Sequence, residues 1–223
     1  MTAPTLTLYT YFRSSASFRV RIALNLKGLP YTSVPVHLLK GGGEQHGSGY
    51  AALNPAQLVP TLVDGAHEGL ALGQSLAIME YLDEAYPGTP TLLPTTAPER
   101  ARVRALAQAI ACEIHPLNNL RVVQYLEREL KVDEAARATW NRHWMTLGFT
   151  ALEALLTGSP HTGVFCHGDT PTLADCCLVP QLSNARRFDT PLEAYPTLLR
   201  IEAACLALDA FQRALPAAQP DAP

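Results

Sequence analysis

The first ordered signal in the chain is an alternation. Thr5-Leu6-Thr7-Leu8-Tyr9-Thr10-Tyr11 places apolar and polar side chains on opposite faces, which predicts a half-buried strand. Past Ser17 the period changes: Val20, Ala23, Leu24 and Lys27 fall along one side of a helix, and Gly28 predicts its stop. Tyr31 to Val36 reads as a short strand, and Pro35, which has no N–H to give, puts it at a sheet edge. Thr61-Leu62-Val63 and Ala66 to Leu72 flank Asp64-Gly65, the pattern of a tight hairpin. Gln74-Ser75 then opens a helix over Leu76 to Leu82 that ends near Pro87-Gly88.

The composition changes between Pro87 and Pro98, where four prolines predict a semi-rigid linker. Beyond it the period is helical throughout. Thr96 to Glu99 is a capping box for a helix through Arg104 and Leu106. Pro116 is expected to kink that helix, which resumes over Leu117 to Leu130. Further helices are expected over Asp133 to Leu156, stopped by Gly158, over Cys176 to Phe188 behind the Thr172–Asp175 capping box, and from Tyr195-Pro196 onward, with a frayed tail from Pro216. The expected division is residues 1–87, a linker at 88–97, and an all-helical domain at 98–223. In the first part the element order, with a proline heading the third strand, is that of a thioredoxin-like fold, so the fold class is α/β plus all-α.

Composition narrows the function. With 223 residues, 48% hydrophobic and 17% charged, the chain can bury a sizeable core. A net charge of −3 with no basic block argues against nucleic acid or an anionic membrane as partner. No apolar run is long enough to span a bilayer, and residues 1–10 lack the pattern of a secretory signal. The five cysteines form no Cys-x-x-Cys pair and the seven histidines no i, i+4 pair, so no metal site is expected. Buried free thiols in a reducing, cytoplasmic compartment fit best.

Candidate chemistry sits where the first strand turns into the first helix, at Arg13-Ser14-Ser15-Ala16-Ser17. Unpaired N–H groups and the helix dipole favour an anion there, and a hydroxyl can donate to a thiolate; the same serines equally suit a helix cap. The loop Lys40 to Gly49 is rich in glycine but has no Gly-Lys-Ser/Thr, so it is not a phosphate-binding P-loop.

Taken in order, Ser14-Ser15-Ala16-Ser17-Phe18-Arg19-Val20-Arg21-Ile22-Ala23-Leu24, Leu53-Asn54-Pro55, Val59-Pro60, Gln74-Ser75-Leu76-Ala77-Ile78, Gly168 to Asp175 and Leu178-Val179-Pro180-Gln181 resemble the zeta class of glutathione transferases over nearly the whole chain. That class includes the maleylacetoacetate and maleylpyruvate isomerases. Its members typically carry cysteine at the third position of the serine stretch. Ala16 stands there, as it lacks cysteine in the maleylpyruvate isomerases too, and it excludes a thiol mechanism from the protein at that place.

The resemblance implies glutathione as cofactor, a homodimer, and a small diacid substrate isomerised from cis to trans. Ser14 matches the thiol-activating serine, with Ser15 a second donor or a cap. Val59, before a cis Pro60, would offer its backbone to the cysteinyl unit of glutathione. Gln74 and Ser75 would take the γ-glutamyl carboxylate, and Gln45 or His46 the glycyl end. Arg13, Arg121 and Arg187 match substrate carboxylate positions, Arg13 with the strongest case, while Arg19 and Arg21 read as structural. His115 and Asn119 would contact glutathione or substrate. Asp175 reads as a helix cap. Two other functions remain: a transferase conjugating α-haloacids or other electrophiles, and a binding protein without turnover, against which the retained Ser14, Val59-Pro60 and Gln74-Ser75 argue.

Overall fold

A computed structural model of the chain describes residues 5–223; residues 1–4, where both the first domain and the stretch read for a secretory signal begin, lie outside it. Two compact units emerge, one from residues up to Leu92 together with 207–223, the other from Leu93–Leu206.

The first unit is built on a four-stranded sheet: β1 (Leu6–Thr10), β2 (Tyr31–Pro35), β3 (Thr61–Asp64) and β4 (Leu70–Leu72), in the order β2-β1-β3-β4. β1 runs parallel to β2, with Leu8 opposite Ser33, and antiparallel to β3, with Leu8 opposite Leu62; β4 pairs antiparallel with β3. The edge position expected for the Pro35 strand is observed. Leu6, Leu8 and Thr10 are buried and Thr7 and Tyr9 half-buried, the pleat that the alternation required. Against the sheet lie α1 (Ser15–Leu26) and α3 (Ser75–Ala85), which pack on each other; a short α2 (Ser48–Leu53) precedes β3. This is a thioredoxin-like arrangement, and Val20, Ile22, Leu24, Leu62, Ile78, Met79 and Leu82 close its core.

α1 is buried on nearly all sides, so its charged residues need internal partners. Gly28 ends it at φ +64°, a conformation costly for any residue with a Cβ. Arg21 donates from Nη1 to Thr10 Oγ1 (3.0 Å), from Nη2 to the Phe12 carbonyl (3.0 Å) and from Nε to the Ala214 carbonyl (3.1 Å). Burial lowers its pKa to about 10, which still leaves it a cation at neutral pH. Lys27 reaches Asp83 Oδ1 at 2.8 Å and the Pro90 carbonyl at 2.9 Å.

The expectations for the tail and for the Asp64-Gly65 turn are corrected here. The tail does not fray: after α9 (Asp209–Gln212) Asp221 accepts the Phe12 N–H at 2.9 Å, and Gln219 is buried and donates to the carbonyls of Arg213 and Leu215. The compact grouping accordingly differs from a division at residues 87 and 98, since Lys27 and Asp83 hold Pro90 and Leu92 to the first unit and residues 207–223 return to it. The Asp64-Gly65 turn is also not a two-residue hairpin. The loop runs from Gly65 to Gly69, because the buried Asp64 carboxylate gathers the Ala66 N–H (2.9 Å), His67 Nδ1 (3.0 Å) and the hydroxyls of Tyr81 (2.7 Å) and Tyr86 (2.6 Å).

The second unit is all-helical: α4 (Ala97–Gln108), α5 (Leu120–Arg128), α6 (Glu134–Thr157), α7 (Leu173–Arg187) and α8 (Pro196–Leu206). Pro116 does more than kink α4. A π-turn at Ala109–Ile114 and a 3₁₀ turn at His115–Asn118 intervene, and Asn119 restarts the helix as a cap. A Cβ on Gly148 would stand 2.3 Å from the Ile114 side chain, so α6 crosses the π-turn at a distance only glycine allows. Asp175 caps α7 as read: it accepts the Thr172 N–H (2.7 Å) and hydroxyl (2.8 Å) and also the Cys166 N–H (2.8 Å). Cys166, Cys176, Cys177 and Cys205 are buried and Cys112 is exposed. No helix among the described residues is long and apolar enough to cross a membrane.

Candidate active site

In the first unit the candidate residues collect at the starts of α1 and α3 and in the segments before β3. Ser14 is the N-cap of α1, with extended backbone angles, and its Oγ accepts the Ser17 N–H at 3.2 Å. Capping and donation are compatible: the oxygen lone pair is engaged inward, while the hydroxyl proton stays available to a thiolate. Ser15 follows as the first helical residue and is buried. Arg13 is exposed, its guanidinium 5.0 Å from the Phe12 ring centroid.

The Val59–Pro60 peptide is cis. Val59 is buried, and its N–H and C=O enter no backbone hydrogen bond among the described residues. The segment before it is fixed from behind. Tyr50 donates its hydroxyl to the Leu58 carbonyl at 2.6 Å, and Asn54 Nδ2 reaches the same carbonyl at 2.9 Å and Thr61 Oγ1 at 2.9 Å. Asn54 was visible in the sequence as part of Leu53-Asn54-Pro55, but this task was not, and Tyr50 carried no signal at all.

Gln45 and His46 occupy different environments. Gln45 is buried, while His46 is exposed and bridges from its Nδ1 to Gln57 Oε1 (2.6 Å) and from its Nε2 to Gln45 Nε2 (3.1 Å). Gln45 Oε1 is a buried acceptor with no hydrogen-bond partner among the described residues. Gly43, at φ +108°, makes room for this side chain: a Cβ there would meet Gln45 Nε2 at 2.6 Å.

Gln74, exposed and at φ +65°, turns the chain into α3, and Ser75 is the first helical residue. Ser75 Oγ accepts from Nη1 of Arg19 at 3.2 Å. Arg19, read from sequence as structural together with Arg21, therefore touches a candidate site residue.

The second unit places the remaining candidates on its own elements. His115 is half-buried at the 3₁₀ turn. Asn119 caps α5, its Oδ1 accepting the Arg121 N–H at 3.1 Å, so its side chain has a structural task that the sequence reading did not assign. The buried neighbour Asn118 donates to the Asn141 carbonyl at 3.3 Å. Arg121 is exposed on α5, and Arg187 is exposed at the end of α7 with its guanidinium 4.8 Å from the Phe188 ring centroid. Among the described residues no group of three or more His, Cys, Asp and Glu is placed to hold a metal ion.

A thioredoxin-like unit whose helix starts present hydroxyls, followed by a helical unit, defines a glutathione transferase. Family models agree: residues 8–90 match the glutathione S-transferase N-terminal domain and residues 134–205 the C-terminal domain. A maleylpyruvate isomerase from Ralstonia sp is 54% identical over 96% of this chain and 98% of its own length. A holo structure of a maleylpyruvate isomerase, a bacterial glutathione transferase of the zeta class, superposes with a TM-score of 0.92 at 52% identity, covering 97% of this chain and all of that one. A maleylacetoacetate isomerase from Methylobacterium extorquens AM1, solved with malonate and glutathione bound, has a TM-score of 0.92 at 42% identity, covering 97% and 99%. The chain belongs to the zeta class of glutathione transferases, in the maleylacetoacetate and maleylpyruvate isomerase family.

Proposed function

We propose that this enzyme isomerises a maleyl diacid to its fumaryl isomer with glutathione as a recycled cofactor, and that maleylpyruvate is its better substrate. The donor set suits glutathione: the starts of α1 and α3, where the dipole favours an anion, the backbone of Val59 outside the sheet ladder, and the buried Gln45 acceptor that has no partner among the described residues. When bound, glutathione supplies a thiolate that adds reversibly to the conjugated double bond, permits rotation, and leaves unchanged.

The residues divide the work. Ser14 donates a hydrogen bond from its hydroxyl to the sulfur, and the start of α1 favours the anion over a thiol whose ordinary pKa is about 8.5. This is the observation that carries the reading: the Ser17 N–H engages the cap serine through its acceptor side. Ser15 supports the same end of the helix. Val59 offers N–H and C=O to the cysteinyl unit, Gln74 and Ser75 take the γ-glutamyl carboxylate, and Gln45 with His46 receives the glycyl end. Arg13, Arg121 and Arg187 neutralise the substrate carboxylates, forks suited to planar anions, and Arg13 also steadies the oxygen that gains charge when the carbonyl is conjugated to the attacked carbon. His115 and Asn119 line the glutathione or substrate site.

The working form is a homodimer with isologous contacts in a reducing cytoplasm, and light scattering at micromolar concentration should give twice the chain mass. The decisive experiment follows free thiol during turnover on the two diacids. Isomerisation leaves it constant while the fumaryl product accumulates. Stoichiometric thiol loss would instead identify a conjugating transferase, and absence of turnover a binding protein.

A further inference from the structure

We propose that Arg19 is a positioning residue for the cofactor: it acts through Ser75 to select thiols that carry a γ-glutamyl group. This rests on the reading that the start of α3 takes the γ-glutamyl carboxylate.

Arg19 lies one turn into α1 from Ser15, on a helix packed against α3. It is 2% exposed, and its Nη1 donates to Ser75 Oγ at 3.2 Å, with Ser75 itself 6% exposed. A guanidinium has only donors, so this contact fixes which way the serine works. Its oxygen accepts from inside the unit, and its hydroxyl proton is directed to another acceptor. At a helix start, where the first N–H groups have no intrahelical carbonyl, that acceptor is an anion. Arg19 adds a second effect, a full positive charge held behind the same helix end in a place little screened by water. An arginine that only filled space in α1 would not need to meet the first residue of α3. The exposed Gln74, turning the chain at φ +65°, leaves the approach to Ser75 from outside to the ligand.

The test compares two thiols, glutathione and cysteinylglycine, which lacks the γ-glutamyl group, in the wild-type enzyme and in Arg19→Lys and Arg19→Gln. Circular dichroism and a thermal melt establish folding first. In the wild type glutathione should be used at far lower concentration than cysteinylglycine. In Arg19→Lys the KM for glutathione should rise about tenfold, the size of one charge-assisted contact, and in Arg19→Gln further. The kcat at saturating glutathione and the KM for cysteinylglycine should stay within about twofold. A wild type indifferent to the γ-glutamyl group overturns the placement of that group at α3, and the proposal with it. A wild type that prefers glutathione, with variants penalised equally for both thiols or in kcat alone, overturns the role of Arg19 only. So does failure of both variants to fold, which would make the arginine a structural element.

Discussion

Lys27 meets Asp83 at 2.8 Å with its side chain entirely out of solvent, joining the end of α1 to α3. Asp83 in turn accepts the Leu92 N–H at 2.9 Å. Breaking a buried pair by deleting one partner costs more than the pair contributes, because the other charge stays behind. Lys27→Met should therefore destabilise the protein by about 3 kcal/mol, seen as a lower denaturant midpoint. A midpoint within experimental error of wild type would show that Asp83 is served by other groups.

Asp64 gives a pH signature. Burial pushes its carboxyl upward, but the bonds from Tyr86, Tyr81, Ala66 and His67 outweigh it, and the pKa ends below its ordinary value. A depressed carboxyl stabilises the fold above the unfolded pKa of about 3.9 and loses that contribution as pH falls through the folded value. Tyr86 is shifted the other way, to about 12, by burial and then by Asp64, and Tyr81 is raised for the same causes. Raised phenols stabilise below their unfolded pKa of about 10 and stop doing so as pH climbs through the folded one. Stability measured by urea unfolding across pH should thus fall at both ends, and Asp64→Asn should flatten both arms relative to wild type. Parallel curves for the two proteins would exclude the cluster as their cause.

Much of this fold was legible because local signals coincide with local causes. Gly28 announced a left-handed stop, the Thr172–Asp175 box capped its helix, and Pro35 marked an edge strand. What escaped depends on partners far along the chain. The hairpin after Asp64 is widened by Tyr81 of α3 and by Tyr86 just past its end, both more than ten residues away. The tail is ordered by Arg21 and the Phe12 N–H. Arg19 and Arg21 share one helix and one chemical type, and only tertiary structure separates a tie to the tail from a contact with Ser75. Among the candidate site residues, Ser14 and Ser75 were placed at helix starts from the sequence, because helix starts are readable. The support of Leu58 by Tyr50 and Asn54 could not, since no period or spacing encodes it.

Ser14→Ala should lower turnover about 10²-fold, the lower end for loss of one hydrogen-bond donor to a reacting anion, while the Ser17 N–H loses its cap and stability drops by about 1 kcal/mol. The two effects are measured separately, by kcat and by thermal melt. Full turnover in a slightly less stable variant would leave Ser14 as a cap and move the thiolate contact to Ser15.

Maleylpyruvate and maleylacetoacetate differ by one methylene, worth only about 1–3 kcal/mol in a pocket, so cation placement must supply much of any preference. Arg121, exposed on α5, is the residue expected to supply it, and Arg121→Ser should bring the two kcat/KM values together. Measured side by side at one glutathione concentration, a wild type that favours maleylacetoacetate, or a variant with an unaltered ratio, would return Arg121 to the role of a surface charge.

Among the described residues, the Ala214 carbonyl accepts from Arg21 Nε and Asp221 accepts the Phe12 N–H. On the ribosome, then, β1 and α1 emerge long before the segment that completes them. Until residues 207–223 clear the exit tunnel, a buried guanidinium lacks one acceptor, and the loop leading to Ser14 lacks its anchor. No single cut yields this unit whole: a fragment ending at Leu92 omits the closing strap, and an extension fused after Pro223 lies close to the segment that Asp221 holds at Phe12.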